Sequence, residues 1–131
     1  MVKILGVNHI TFAVKNLSRS LDFYQTVLNA ELVHKGRTDA YLEWGPVWIC
    51  LLERGEAKKA DSKSAGVDHA AFTVHENDFD QTVAVLKSND VKIVRGPIKR
   101  GGGRCVNFLD PDGIQLELNT GSLAGRMENW V

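Results

Sequence analysis

"VNHITFAV" at residues 7–14 and "VDHAAFTV" at residues 67–74 are two writings of one strand. Each alternates apolar and polar residues, the pattern of a half-buried β-strand. Each also places histidine third, phenylalanine sixth and valine eighth. The segments behind the two strands repeat as well. Behind the first strand Ser18 is a candidate helix cap, apolar residues at 21, 24, 27 and 28 keep a helical period, and Asn29-Ala30 breaks it. Behind the second, Asn77 is the candidate cap of an amphipathic run over 78–86 that ends near Ser88-Asn89-Asp90. Both helices contain "QTV", at 25–27 and 81–83. Strand-like segments come next at 31–35, 40–44 and 47–52 in the first half, and at 91–95, 105–109 and 114–119 in the second. The order β-α-β-β-β is written twice, at a period too long for a solenoid. The expected fold is α+β: one domain over 1–131 built of two paired modules, about 5–54 and about 65–120, with a C-terminal helix over about 121–130. Two such half-sheets can bury each other's edges and leave a cleft between them.

The repeated histidines give that cleft a chemistry. A lone strand histidine is ordinarily a core or surface residue. His9 and His69 occupy matching slots of duplicated strands, and a pseudo-twofold between modules would aim both into the cleft. Imidazole is the commonest protein ligand for transition metals. The stretch "FLDPDGIQLEL" (108–118) reads as strand, turn, strand, with Ile114, Leu116 and Leu118 on one face and Gln115, Glu117 and Asn119 on the other. Glu117 stands mid-strand between leucines, where a carboxylate is costly unless paired or coordinated; otherwise its face is wet. His9, His69 and Glu117 would form a facial set with open positions, suited to a catalytic divalent ion. His34 and His75 lack the symmetry and are expected in solvent.

Composition narrows the function classes. The 131 residues carry 44% hydrophobic content, enough for one globular unit that buries roughly two-thirds of its unfolded surface. Sixteen basic and sixteen acidic residues cancel, which gives no support to a nucleic-acid or membrane-surface role. No apolar run approaches the roughly 20 residues of a membrane span, and Met1–Leu5 does not read as a signal peptide. A cytoplasmic location is the expectation. Cys50 and Cys105 form no disulfide framework and no CxxC motif, so they are read as reduced thiols.

The chain resembles the vicinal oxygen chelate superfamily, and within it the fosfomycin-resistance proteins, over nearly its full length. The matching stretches are "VNHITFAV", "SLDFYQTVLNAEL", "AYLEWGPVWICLLE", "VDHAAFTV", "FLDPDGIQLEL" and "TGSLAGRM". The resemblance implies a glyoxalase-like fold whose metal ligands are His9, His69 and Glu117. It implies a homodimer, a divalent metal (Mn2+, with Ni2+, Zn2+ or Fe2+ as options), and opening of a phosphonate epoxide by a thiol such as glutathione or by water. Thr11 would contact substrate, Trp48 and Tyr41 would line the cup, and Arg126 would grip the phosphonate. No catalytic group beyond the metal is implied.

Departures from that family pattern shape the substrate side. Cys105 and Asn107 replace a serine and tyrosine before the DPDG turn. Gly101-Gly102-Gly103 replaces a potassium-binding acidic loop, so potassium is not expected. Only Thr38 and Asp39 lie where the family's epoxide hydrolases carry a water-activating glutamate. Segment 95–108 is read as a flexible loop whose Lys99, Arg100 and Arg104 attract a small anionic substrate, or else as a solvated basic turn. Lactoylglutathione lyases of the superfamily carry an acidic ligand where Cys50 stands, so an isomerase is the second reading. A metal-free sequestering protein of the bleomycin-binding kind is the third.

Overall fold

The structure is a computed structural model, and it describes residues 1–128. The chain forms two compact units, Met1–Lys58 and Lys59–Val131. Each carries a four-stranded mixed sheet with helix against it, and the fold is α+β.

In the first unit β1 (Ile10–Val14) leads into α1 (Leu17–Asp22), which continues through a π-helical turn at Phe23–Val27. β2 (Glu31–Lys35), β3 (Asp39–Trp44) and β4 (Val47–Glu53) come after it, and the sheet order is β1-β4-β3-β2 with β1 and β4 parallel. The helix starts earlier than Ser18 suggests. Asn16 is the cap, its side-chain oxygen accepting from Arg19 N at 3.0 Å, while Glu53 Oε2 accepts from Leu17 N at 2.8 Å. Both acceptors satisfy first-turn donors that would otherwise lack partners. Leu17, Leu21, Tyr24 and Leu28 are buried together with Phe12, Val14, Ala40, Leu42, Ile49 and Leu51, one core for helix and sheet. Asn29 ends the helical run in the left-handed region at φ 59, as its position in the sequence implies.

The second unit repeats the plan. β5 (Ala70–Thr73) is succeeded by a 3-10 turn at Glu76–Asp78, α2 (Phe79–Ser88), β6 (Ile93–Arg100), β7 (Gly103–Leu109) and β8 (Gln115–Asn119), in sheet order β5-β8-β7-β6. The short α3 (Leu123–Glu128) closes the described chain; positions 129 and 130 of the expected C-terminal helix lie outside the described residues. Asn77 does not cap α2. His75 Nδ1 accepts from Asn77 N at 3.0 Å and opens the 3-10 turn, and Asp78 precedes α2 without a side-chain cap bond.

The larger correction concerns 95–108. It is a β-hairpin: Arg100 pairs with Gly103, and the two-residue turn Gly101-Gly102 has φ 56 and 81. Two consecutive left-handed residues are what a tight hairpin turn requires, and glycine adopts them without a Cβ penalty.

Register makes the two units comparable. Thr11, Cys50 and Tyr41 are neighbours across β1, β4 and β3; Ala71, Glu117 and Asn107 are neighbours across β5, β8 and β7. Cys50 thus holds in the first unit the place that Glu117 holds in the second.

Candidate metal centre

Glu117 is only 8% exposed, and the strand explains why a charge can sit there. Leu116 and Leu118 turn into the apolar core, so Glu117 turns to the opposite face with Gln115 and Asn119. Burying a carboxylate without donors is expensive, and this one has a donor on each oxygen. Asn107 Nδ2 donates to Oε1 at 3.0 Å and Asn119 Nδ2 donates to Oε2 at 2.8 Å. Gln115 Nε2 in turn donates to Asn107 Oδ1 at 2.9 Å.

His69 meets this carboxylate. Its Nε2 lies 3.3 Å from Glu117 Oε1, and its Nδ1 lies 2.7 Å from Asp68 Oδ2. An ionised carboxylate only accepts, so Nδ1 donates to Asp68, and Nε2 is the ring nitrogen that faces Glu117. Two ligands bonded to one ion at about 2.1 Å sit roughly 3.0–3.4 Å apart at angles of about 90–109°. The pair has that separation, and its Nδ1 anchor is the arrangement that orients metal-ligating histidines generally. The residues fit a divalent ion.

His9 lies just before β1 in the first unit, with its Nδ1 2.7 Å from Asn8 Oδ1. The same device, an acceptor one residue upstream, thus serves both histidines. The duplicated strands spell it as "NH" and "DH", a signal beyond the matched histidines themselves. His9 packs on Trp48 with ring centroids 4.4 Å apart, and Trp48 meets Tyr41 edge-on at 5.7 Å. Trp48 and Tyr41 are each 39% exposed, and Thr11 lies exposed on the same face of the sheet. His34 is exposed as expected, yet its ring lies 5.8 Å from Tyr41 and extends the aromatic row. Cys50 is buried and unpaired with any other cysteine. Among the described residues no three His, Cys, Asp or Glu side chains come together as a complete set; His69 and Glu117 are the pair that meets.

The basic residues separate into two groups. Arg126, half-buried on α3, and Arg100 line a cavity of about 400 Å³ together with Thr73, Ser122 and Gly101. Gly101 is held close under Arg126: a Cβ there would collide with Arg126 Cδ. Lys99 lines a separate dent at the hairpin tip rather than this cavity. Arg104, which its charge suggests for substrate, is committed elsewhere. It pairs with Glu76 at 2.8 Å and Asp80 at 2.7 Å, and its guanidinium lies 4.5 Å over the Phe79 ring. The Asp80 hydrogen bond raises its proton affinity further. Cys105 is buried, and burial together with the Glu117 charge pushes its thiol upward, away from thiolate character. Asn107 is fully buried and spends its amide on Glu117 and Gln115.

Residues 6–118 match the model of the Glyoxalase/Bleomycin resistance protein/Dioxygenase superfamily. The chain belongs to this superfamily. Among its members the chain is similar to the fosfomycin-resistance enzymes. It is 38% identical over 128 residues to a metallothiol transferase FosB of Staphylococcus epidermidis, covering 97% of this chain and 91% of the relative. It is 36% identical over 122 residues to the glutathione transferase FosA of Serratia marcescens, covering 93% and 85%. The crystal structure of the fosfomycin resistance protein FosX of Listeria monocytogenes, complexed with Mn(II) and sulfate, superposes with a TM-score of 0.80 at 27% identity, covering 98% of this chain and 100% of that one. The protein is an enzyme of the fosfomycin-resistance type within the glyoxalase superfamily, and enzymes of this type depend on a divalent metal.

Proposed function

We propose that the chain adds a low-molecular-weight thiol such as glutathione to the epoxide of fosfomycin or a related small anionic substrate, with Mn2+ held by His9, His69 and Glu117. The observation that carries this is the approach of an Nδ1-anchored His69 to a buried, doubly donated Glu117 carboxylate at 3.3 Å. A bound divalent ion supplies Lewis-acid polarisation of the substrate's oxygens. The residues supply the rest. Asn8 and Asp68 hold the imidazoles through Nδ1, which leaves Nε2 as the nitrogen to meet the ion. Arg126 and Arg100 bind and orient the phosphonate oxyanion in their cavity, where a planar guanidinium suits paired oxygens. Thr11 offers a hydroxyl to the substrate, and Trp48 and Tyr41 wall the site against water. The thiol gives its proton to solvent, the sulfur attacks one epoxide carbon as that carbon's bond to oxygen breaks, and the oxygen, still bonded to the neighbouring carbon, takes up a proton from solvent. Thiol is favoured over water because the similar FosB and FosA proteins are thiol transferases, and because Asp39 opens β3 with no glutamate in the seven residues before it, 32–38. In this reading residues 1–131 act as one domain in a cytoplasmic homodimer, whose mass light scattering will report. Val2, Ile4, Leu5 and Val67 are exposed apolar residues that a partner copy would cover.

Equilibrium dialysis tests the ligand set. The protein takes up about one Mn2+ per chain, and His69→Ala or Glu117→Gln loses tight uptake. Equal metal content in wild type and both variants would remove the reading.

A further inference from the structure

We infer that Asn107 is a positioning residue for the metal-ligand carboxylate rather than a contact for substrate, and that Gln115 sets its direction. The inference rests on the metal reading above and deepens it.

Asn107 has no exposed surface, so its amide cannot reach a ligand in solution-facing space. Its Nδ2 bonds Glu117 Oε1, the same oxygen that lies 3.3 Å from His69 Nε2. That bond occupies one lone pair of Oε1 and fixes where the other points. An amide could turn its oxygen to the carboxylate instead, and Gln115 prevents this by donating to Asn107 Oδ1. The other carboxylate oxygen is treated alike. Asn119 Nδ2 donates to Oε2, while Asn119 Oδ1 is held by Gly121 N at 2.7 Å. Glu117 is therefore gripped between two amides, each oriented by a further donor behind it. The first unit supplies the contrast. At the corresponding register Cys50 has as its neighbour Tyr41, a 39% exposed phenol in place of a buried amide: where the acid is absent, so is the clamp.

The functional consequence is a trade. The position that could have offered a donor to substrate is turned inward to hold a ligand. Partners behind a metal ligand commonly change metal affinity about 10–100-fold when removed.

The test uses the full-length protein, titrated with Mn2+ and monitored by the EPR signal of free ion, alongside phosphonate KM at saturating Mn2+. Asn107→Leu, of similar size but without a donor, is expected to weaken Mn2+ binding about 10–100-fold. Its KM for fosfomycin at saturating metal stays within about twofold of wild type. Gln115→Met keeps Asn107 but frees its amide to turn, and is expected to weaken Mn2+ binding by a smaller factor, about 3–10-fold. Gln115→Met also decides the matter if Asn107→Leu fails to fold. Wild-type Mn2+ affinity in both variants, with Glu117→Gln defective, would overturn the clamp while leaving the metal site standing. Unchanged Mn2+ affinity with a raised fosfomycin KM in Asn107→Leu would return Asn107 to the substrate. Wild type and Glu117→Gln binding Mn2+ equally would overturn the metal reading and the clamp together.

Discussion

At the scale of single residues, an ionisable side chain's role depends on partners the sequence does not place beside it. Arg104 looks from its neighbours Lys99 and Arg100 like part of an anion-attracting loop. Its actual partners, Glu76 and Asp80, come from the start of the preceding helix 24–28 residues away. Glu76 shows the consequence for stability. The Thr120 side chain, and after it Arg104, holds the Glu76 carboxyl below its ordinary value of 4.5. Because the folded value is depressed, this contribution is complete above 4.5 and is lost as pH falls through the lowered value. Glu76→Gln is therefore expected to lower the melting temperature at pH 7, with the gap to wild type closing as pH falls below that lowered value. Melts giving the same gap at neutral and at acid pH would show that Glu76 acts through shape alone. Asn107 misleads for the same reason as Arg104: its partner Glu117 is ten residues on, across a strand pair, and only register reveals it. The matching places of His9 and His69 in the two strands are legible because duplication is itself a sequence signal. Asn8 and Asp68 stand beside them in plain view.

At the scale of elements, periodic segments are legible in the sequence and punctuation is much less so. The strands at 31–35 and 47–52 fall where alternation puts them. The hairpin of β6 and β7 is hidden because Gly96, Pro97 and three consecutive glycines look like breakers. The ladder instead absorbs the irregularity as shifts between Ile93 and Ile98, and Gly101-Gly102 makes the turn. Ser18 loses the capping role to Asn16 by two residues, within the usual spread of helix ends. The turn also bears on the proposed phosphonate site, because Gly101 packs under Arg126. Gly101→Ala imposes a Cβ at φ 56, a cost of about 1–2 kcal/mol, and drives that Cβ into Arg126. Gly45→Ala has the same φ with nothing within 4 Å, so it carries the backbone cost alone. Both variants are expected to melt lower, and only Gly101→Ala to raise the fosfomycin KM. Equal KM values in the two would separate Arg126 from phosphonate binding.

At the scale of the whole molecule, each module packs its apolar residues against its own helix and turns the opposite sheet face to polar and aromatic side chains. The first carries an exposed aromatic row with His9; the second carries His69 and Glu117, and a cavity lined by Arg100 and Arg126. This division sets the expected rate on fosfomycin. Charge complementarity for a phosphonate is present in the arginine pair. The two hydroxyl donors of the related pattern are not: Cys105 is a buried thiol pushed away from ionisation, and Asn107 is bonded to Glu117. If each missing donor acts as one preorganised contribution, their loss costs on the order of 2–4 kcal/mol of transition-state stabilisation. That is roughly 30- to 1,000-fold in rate. The hairpin turn is made of glycines, which offer no side-chain carboxylate to a potassium ion. The expected outcome is slow glutathione addition to fosfomycin that requires Mn2+, runs equally in potassium and sodium salts, and is surpassed by another small anionic substrate. Phosphorus NMR of the reaction with each phosphonate, in parallel KCl and NaCl buffers with and without Mn2+, measures all three dependences. Fast turnover stimulated by potassium would mean that 95–108 supplies donors its buried side chains withhold in this structure.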